Sequence, residues 1–404
     1  MLNVLGQLAI HILPFLAVLT LVITVHELGH YLAARAFKVK IDRFSLGFGR
    51  AIASRMDKYG TEWRLAWLPL GGYVKFAGDV DATGVPDQAG LDVLRKEIVA
   101  AEGPGAERQY FYFKPIWQRA IVVAGGPIAN FVLAMALFTV LFSAVGTVIV
   151  PPRVAAVDAG TPAAAAGFQI DDLVTEVNGR PMKDSAALQR VVALSAGDRL
   201  EFTVERNGAE VALTGTPERV TVNDEIAGRI TMARMGLGLA PNAGEARHIR
   251  YPPHEALWQG VLQIREILGT TMTYLGRIFT GKESGDQLSG PIGIAKVAGG
   301  ITKSAAAVTE DPGYQALNVS ISLLSFAAIL SVGIGFLNLL PVPVLDGGHL
   351  LFYGYEAVAR RPLSARVQEA GYRLGLVLLV GLMLFVTWND LQKLSLFKFL
   401  GGPA

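Results

Sequence analysis

His26 and His30 stand four residues apart, with Glu27 beside the first, in the run His26-Glu27-Leu28-Gly29-His30. On a helix, residues four apart lie on one face, so the two imidazoles can share one metal ion. The chain has no cysteine, which leaves His, Asp and Glu as the only strong ligands and points to zinc in a hydrolytic setting. Glu27 is then placed to take a proton from a water that zinc acidifies to a pKa of about 7. The surrounding run is apolar, and ionisable groups inside such a span cost about 2.5–3.5 kcal/mol each on insertion scales. Three of them in five residues require a partner ion or a water-filled cavity.

A hydrolytic zinc takes three protein ligands and leaves its fourth position open. The other histidines are His11, His248, His254 and His349. His11 lies about 22 Å along the same helix at 1.5 Å per residue, and His248 and His254 fall in a polar, Pro-containing stretch. The informative segment is Asn338-Leu-Leu-Pro341-Val-Pro343-Val-Leu-Asp346-Gly347-Gly348-His349. Pro341 and Pro343 break a helix there and free backbone groups at membrane depth, which is tolerated only where backbone lines a cavity or is buried in protein. Asp346 sits where that cavity would be. His349 is a rival ligand, but its position beyond two glycines favours a place outside the ligand set or in a loop.

Membrane spans must position these groups. Of 404 residues, 51% are apolar and 17% charged, and mean hydropathy is +0.40, with the apolar residues gathered into four long runs at about 5–34, 120–150, 319–344 and 374–388. Each approaches the roughly 20 residues that cross a bilayer. The first has no basic residue before it and no small-residue cleavage site after it, so it reads as retained. Arg35, Lys38, Lys40, Arg43, Arg50, Arg55 and Arg119 flank the first two runs. Arg360, Arg361, Arg366 and Arg373 lie between the last two, and both loops are therefore expected on the cytoplasmic side. His26, His30 and Asp346 then share the cytoplasmic half of the bilayer. A net charge of +2, without a basic helix carrying interleaved aromatics, excludes a nucleic-acid partner.

Between the first two runs, 44–49 and 63–76 alternate apolar and other residues with glycine breaks, which predicts short strands or hairpins. A helix must unwind before it is cut, and an exposed strand edge could capture the unwound segment. Residues 151–241 turn polar and form a separate domain, with a helix at 184–195 and a hairpin of 200–204 with 210–214 across Asn207-Gly208. Residues 242–314 read as an amphipathic helical connector, which leaves 1–150 and 315–404 as the two membrane halves.

These motifs resemble the site-2 protease family, and within it the bacterial regulator of sigma-E protease type. The family pairs H-E-x-x-H in the first span with N-x-x-P-x-P-x-x-x-D-G in the third, and both are present here, in a resemblance that covers nearly the whole chain. It implies zinc ligands at His26, His30 and Asp346, Glu27 as general base, and Asn338 holding substrate or stabilising the oxyanion. It also implies a membrane-associated sheet with a Gly-x-Gly element, so that Gly47, Gly49, Gly71 and Gly72, with Pro341 and Pro343, become candidate substrate-binding positions. Gly125-Gly126-Pro127 with Asn130, and the run from Leu288 to Ala295, match as well; small residues in the former could equally serve close helix packing.

The polar domain resembles a circularly permuted PDZ domain, in which Gly236, Leu237, Gly238 and Leu239 would receive a peptide carboxylate. One such unit is found where two in tandem are usual. The expected molecule is a polytopic α-helical membrane protein with a membrane-associated β element and an inserted α+β PDZ domain. It would be a zinc endopeptidase of the bacterial inner membrane, with its PDZ domain periplasmic. It would cut single-pass membrane proteins such as a pre-cleaved anti-sigma factor or remnant signal peptides. The competing readings are a silent membrane scaffold, against which the free carboxylate of Glu27 argues, and a metal transporter, in which a peptide-binding domain has no part.

Overall fold

The structure is a computed structural model, and residues 2–78, 88–224 and 228–393 of it are described. The chain divides into two compact units, Met1–Leu137 with Ile301–Phe385, and Phe138–Gly300 with Val386–Ala404.

The first unit opens with α1 (Leu2–Ala36), which carries the H-E-x-x-H run, followed by β1 (Ile41–Met56), β2 (Glu62–Phe76), α2 (Gln88–Glu102) and α3 (Ile116–Ala144). After the second unit it resumes with α8 (Pro312–Asn338), α9 (Asp346–Ala359) and α10 (Ala365–Lys393). Among the described residues, four helices are long and apolar enough to cross a membrane: Ile10–Ala36, Ile116–Ala144, Pro312–Asn338 and Ala365–Lys393. The protein is thus a polytopic membrane protein, and the four apolar runs are the four spans, with shifted ends. The second span stops at Ala144 because Gly146 turns left-handed, φ 85°, and its N–H closes on the Leu141 carbonyl, so 147–149 becomes a strand instead. The third begins at Pro312, capped by the Asp311 carboxylate accepting from Gly313 and Tyr314 N–H, and ends three residues before Pro341.

β1 and β2 form one antiparallel sheet that is folded on itself. Ile41–Leu46 pairs with Gly72–Phe76, and Ala51–Met56 with Glu62–Ala66, while Arg43–Leu46 is matched a second time with Glu62–Leu65. Left-handed Gly47, Gly49 and Gly71 supply the bends that a β-carbon would resist. Among the described residues, strand pairing reaches Gly72–Lys75 from the Leu46–Arg43 side. Around it, Tyr31, Ala34, Val39, Ile41, Phe44, Phe111, Val122 and Val123 make one core.

The second unit comprises β3 (Thr147–Ile149), β4 (Val154–Val157), α4 (Pro162–Ala166), β5 (Leu173–Val177), β6 (Arg180–Pro181), α5 (Ser185–Ala193), β7 (Leu200–Arg206) and β8 (Ala209–Gly215). It continues with β9 (Glu218–Asp224), β10 (Gly228–Arg234), β11 (Leu237–Leu239), β12 (Arg247–Ile249), α6 (Pro253–Phe279) and α7 (Pro291–Ala306). Strands β6, β5, β7 and β8 form a four-stranded sheet in that order. The β7–β8 turn is Asn207-Gly208, both left-handed at φ 52° and 80°, as a two-residue hairpin demands. Asp184 caps α5 by accepting from Ala187 N–H. Val154, Phe168, Val174, Leu188, Phe202 and Val204 fill the core beneath. α6 lies within 242–314, whereas α9 and α7 were not separable from their neighbours by composition.

Candidate metal centre

Helices α1 and α3 touch through their backbones. A β-carbon at Gly29 would collide with the Gly125 carbonyl, and one at Gly125 would lie 2.7 Å from the Gly29 carbonyl, so small residues at both positions permit an approach that larger ones would prevent. α8 joins them through Ser331, whose hydroxyl donates to the Asn130 carbonyl at 2.8 Å. The next residue on α3, Gly126, faces the two imidazoles: a β-carbon there would overlap His30 Nε2 and come within 2.7 Å of His26 Nε2.

The third group arrives from α9. Past Asn338 the chain turns through Pro341 and Pro343 and re-enters a helix at Asp346. Gly347 and Gly348 sit directly on the carbonyls of Leu339, Leu340 and Val342, which is why this tight return requires glycine at both places. Asp346 is thereby held in the first turn of α9, where the helix dipole favours its anion.

His26 Nε2, His30 Nε2 and Asp346 Oδ2 form a nearly equilateral triangle. Its sides are 3.1 Å between the imidazoles, 3.2 Å from His26 to Asp346 and 3.5 Å from His30 to Asp346. Tetrahedral zinc, with ligand bonds of about 2.0–2.1 Å, spaces its ligands about 3.3 Å apart. Buried Asp346 Oδ2 is turned toward both imidazole nitrogens and takes no other hydrogen bond from the described residues, as an oxygen placed to hold a cation would. The donor set of two imidazoles and one carboxylate fits zinc with one position open.

The outer contacts agree with ligation. His30 Nδ1 faces the Val122 carbonyl at 3.0 Å, the kind of partner that orients a ligand imidazole. His26 Nδ1 faces the carboxamide of Asn130 at 3.2 Å. His349 is not part of the triangle; it contacts the Tyr372 hydroxyl on α10 at 3.2 Å. His248 is bonded to the Val145 carbonyl, and His254 is exposed beside Glu255.

Glu27 sits between the triangle and β2. A β-carbon on Gly72 would lie 3.0 Å from Glu27 Cγ and 2.8 Å from the Ser45 carbonyl, so glycine lets the strand reach the carboxylate. Two contacts hold the sheet along α1: Thr20 donates to the Pro69 carbonyl at 3.2 Å, and Tyr31 donates to Asp57 at 3.1 Å. Burial alone would raise the Asp57 pKa, but the N–H groups of Thr61, Tyr59 and Trp63 and the Tyr31 hydroxyl outweigh it and hold the carboxyl below its usual range. Gly47 packs against the Leu68 carbonyl, Gly49 has open space around it, and Gly71 lies against the Phe48 ring.

The remaining expected site residues have contacts of their own. Asn338 ends α8 and spends its Nδ2 on the Ile334 carbonyl at 3.0 Å, within its own helix. Pro343 packs against Gly371 and Gly375 of α10. In the second unit Leu237, Gly238 and Leu239 pair with β4, and Gly236 turns left-handed before them. Two relationships were not legible in the sequence, the contact of Asn130 with His26 and that of Gly72 with Glu27. A signal for the first existed, since Asn130 is an amide buried in mid-span, four residues after Gly126 and on the same face.

The family model of peptidase family M50 matches residues 14–382. Metalloprotease MmpA of Caulobacter vibrioides is 47% identical over 97% of this chain and 98% of its own length. A protein of Agrobacterium fabrum named as a candidate zinc metalloprotease is 40% identical over 96% of this chain and 97% of its own, and one so named in Mesorhizobium japonicum is 41% identical over 94% and 98%. The chain belongs to peptidase family M50, the site-2 protease family of zinc-dependent proteases.

Proposed function

We propose that the protein is an intramembrane endopeptidase in which His26, His30 and Asp346 hold one zinc ion and Glu27 is the general base. The triangle of ligand atoms, 3.1–3.5 Å on a side and drawn from two different helices, carries this reading. Bound zinc supplies Lewis-acid polarisation and makes a water nucleophilic at neutral pH. Glu27, next to the ligand pair and walled by Gly72, accepts the water's proton and returns it to the leaving amide nitrogen. The Gly72–Lys75 stretch of β2 beside Glu27 is the edge onto which an unwound substrate adds as a further strand, with Gly47, Gly49 and Gly71 shaping it. Asn338 would join substrate binding by turning its amide from the Ile334 carbonyl, and Pro341 and Pro343 keep the segment before Asp346 non-helical.

The substrates are single-pass membrane segments, shortened beforehand on the extracytoplasmic side; an anti-sigma factor or a remnant signal peptide has the required form. Residues 151–241 act as one PDZ-like module on the periplasmic side of the inner membrane, sorting substrates by their free ends. Support comes from the sheet β6-β5-β7-β8 with α5 and from the left-handed Gly236 that opens β11. The test is cleavage of a tagged single-pass substrate in vesicles by wild-type and Glu27→Gln protein, with the cut mapped by mass spectrometry. A cut within the substrate's apolar segment that vanishes in the variant supports the reading. Cleavage only outside that segment, or unaltered by the variant, overturns it.

A further inference from the structure

Asn130 is wholly buried in the middle of α3, its Nδ2 lies 3.2 Å from His26 Nδ1, and its Oδ1 has no hydrogen-bond partner among the described residues. The other ligand imidazole sets the standard. His30 Nδ1 faces the Val122 carbonyl, which can only accept, so His30 carries its proton on Nδ1 and offers the Nε2 lone pair to the triangle. His26 must adopt the same tautomer to ligate through Nε2, and its Nδ1–H then needs an acceptor. With Nδ2 toward the ring the carboxamide donates instead, which puts the imidazole proton on Nε2, 3.1 Å from His30 Nε2, where it hydrogen-bonds to its neighbour and blocks ligation. A half-turn of the carboxamide brings Oδ1 to His26 and gives the orphaned oxygen its donor.

We propose that Asn130 is a positioning residue for the metal centre, donating to His26 Nδ1 in the metal-free protein and accepting from Nδ1–H when the metal is held, so that its rotation selects the ligating tautomer. The backbone around it is fixed without the amide: the Ser331 hydroxyl holds the Asn130 carbonyl, and Gly335 leaves 3.2 Å between its would-be β-carbon and Asn130 Cβ. Packing of α3 on α8 therefore does not need the carboxamide, and the choice of an amide there is explained by the imidazole.

The inference rests on the metal reading above, and one series of proteins separates the two. Zinc affinity is measured by chelator competition at fixed pH on wild type, Asn130→Leu and Asn130→Asp, alongside the visible spectrum of each protein loaded with cobalt. Asn130→Leu keeps the volume and removes the acceptor, so zinc should bind 10- to 100-fold more weakly with an altered cobalt spectrum. Asn130→Asp keeps an acceptor and should restore affinity and the wild-type spectrum. Equal zinc affinity in wild type and Asn130→Leu overturns the inference, as does an Asp variant no better than the Leu variant. If Asn130→Leu does not fold, the Asp variant decides alone: the wild-type cobalt spectrum supports the role and a changed coordination spectrum overturns it. Wild-type protein that binds no zinc overturns the metal reading itself.

Discussion

Asp346 Oδ2 stands 3.2 Å from His26 Nε2, although the two residues belong to helices at opposite ends of the chain. Neither helix can make the site alone, since α1 supplies two imidazoles and α9 the carboxylate. The approach depends on glycine at three levels: Gly29 against Gly125, Gly126 against the imidazoles, and Gly347 and Gly348 against the loop carbonyls.

Asp346→Ala should abolish both zinc binding and cleavage, because two imidazoles alone hold zinc weakly and leave the ion poorly oriented. Removing zinc from wild type with a chelator should stop cleavage and lower the melting temperature, with both restored on adding zinc back. At a free zinc concentration 100 times Kd, the stabilisation lost is about 2.7 kcal/mol. Calorimetry of the detergent-solubilised protein with and without zinc measures it.

Glu27→Gln should leave zinc content unchanged and lower kcat by about 10²–10⁴-fold, the contribution of a general base. Metal analysis beside the cleavage assay distinguishes this from loss of the ion.

Gly126→Ala should fold but lose zinc affinity, since the added methyl would overlap His30 Nε2. Gly72→Val should do the opposite, keeping zinc while cleavage falls, because its side chain would press on Glu27 and on the Ser45 carbonyl. Zinc titration of both variants, followed by the substrate assay, tests the pair; identical behaviour would contradict the distinct positions assigned to the two glycines.

In the second unit, Asp172 is fully buried and takes two hydrogen bonds of 2.7 Å from Arg206. Burial by itself would raise its pKa, but the Arg206 guanidinium and the Gln169 N–H outweigh it and hold the carboxyl below its usual range. The folded value is the lower one, so this stabilisation is complete above the unfolded value and fades as pH falls through the folded one. Arg206→Met, which leaves a buried carboxylate without its partner, should cost about 3–5 kcal/mol. Hydrogen exchange of β5 and β7 amides in the full-length protein reads both effects.

The spans and the shared face of His26 and His30 were legible because they obey short rules. Apolar runs near membrane length mark helices, and His26 and His30 at i, i+4 mark one face. The β7–β8 hairpin followed from Asn207-Gly208 in the same way. The ends of the spans were displaced by local chemistry that an apolar window does not weigh, such as the Asp311 cap and the Gly146 stop. α9 was hidden because Pro341, Pro343 and two glycines read as loop, while the helix starts only at Asp346. Asn130 and Gly72 could not be assigned partners from sequence, since their contacts join segments that no spacing rule connects.

X-ray absorption at the zinc edge of the purified protein tests the central claim most directly. The account predicts one zinc per chain with two imidazole nitrogens and oxygen as the remaining ligands, retained in Glu27→Gln and lost in Asp346→Ala. A zinc site unaffected by Asp346→Ala, or a protein that cleaves its substrate without any bound metal, would contradict it.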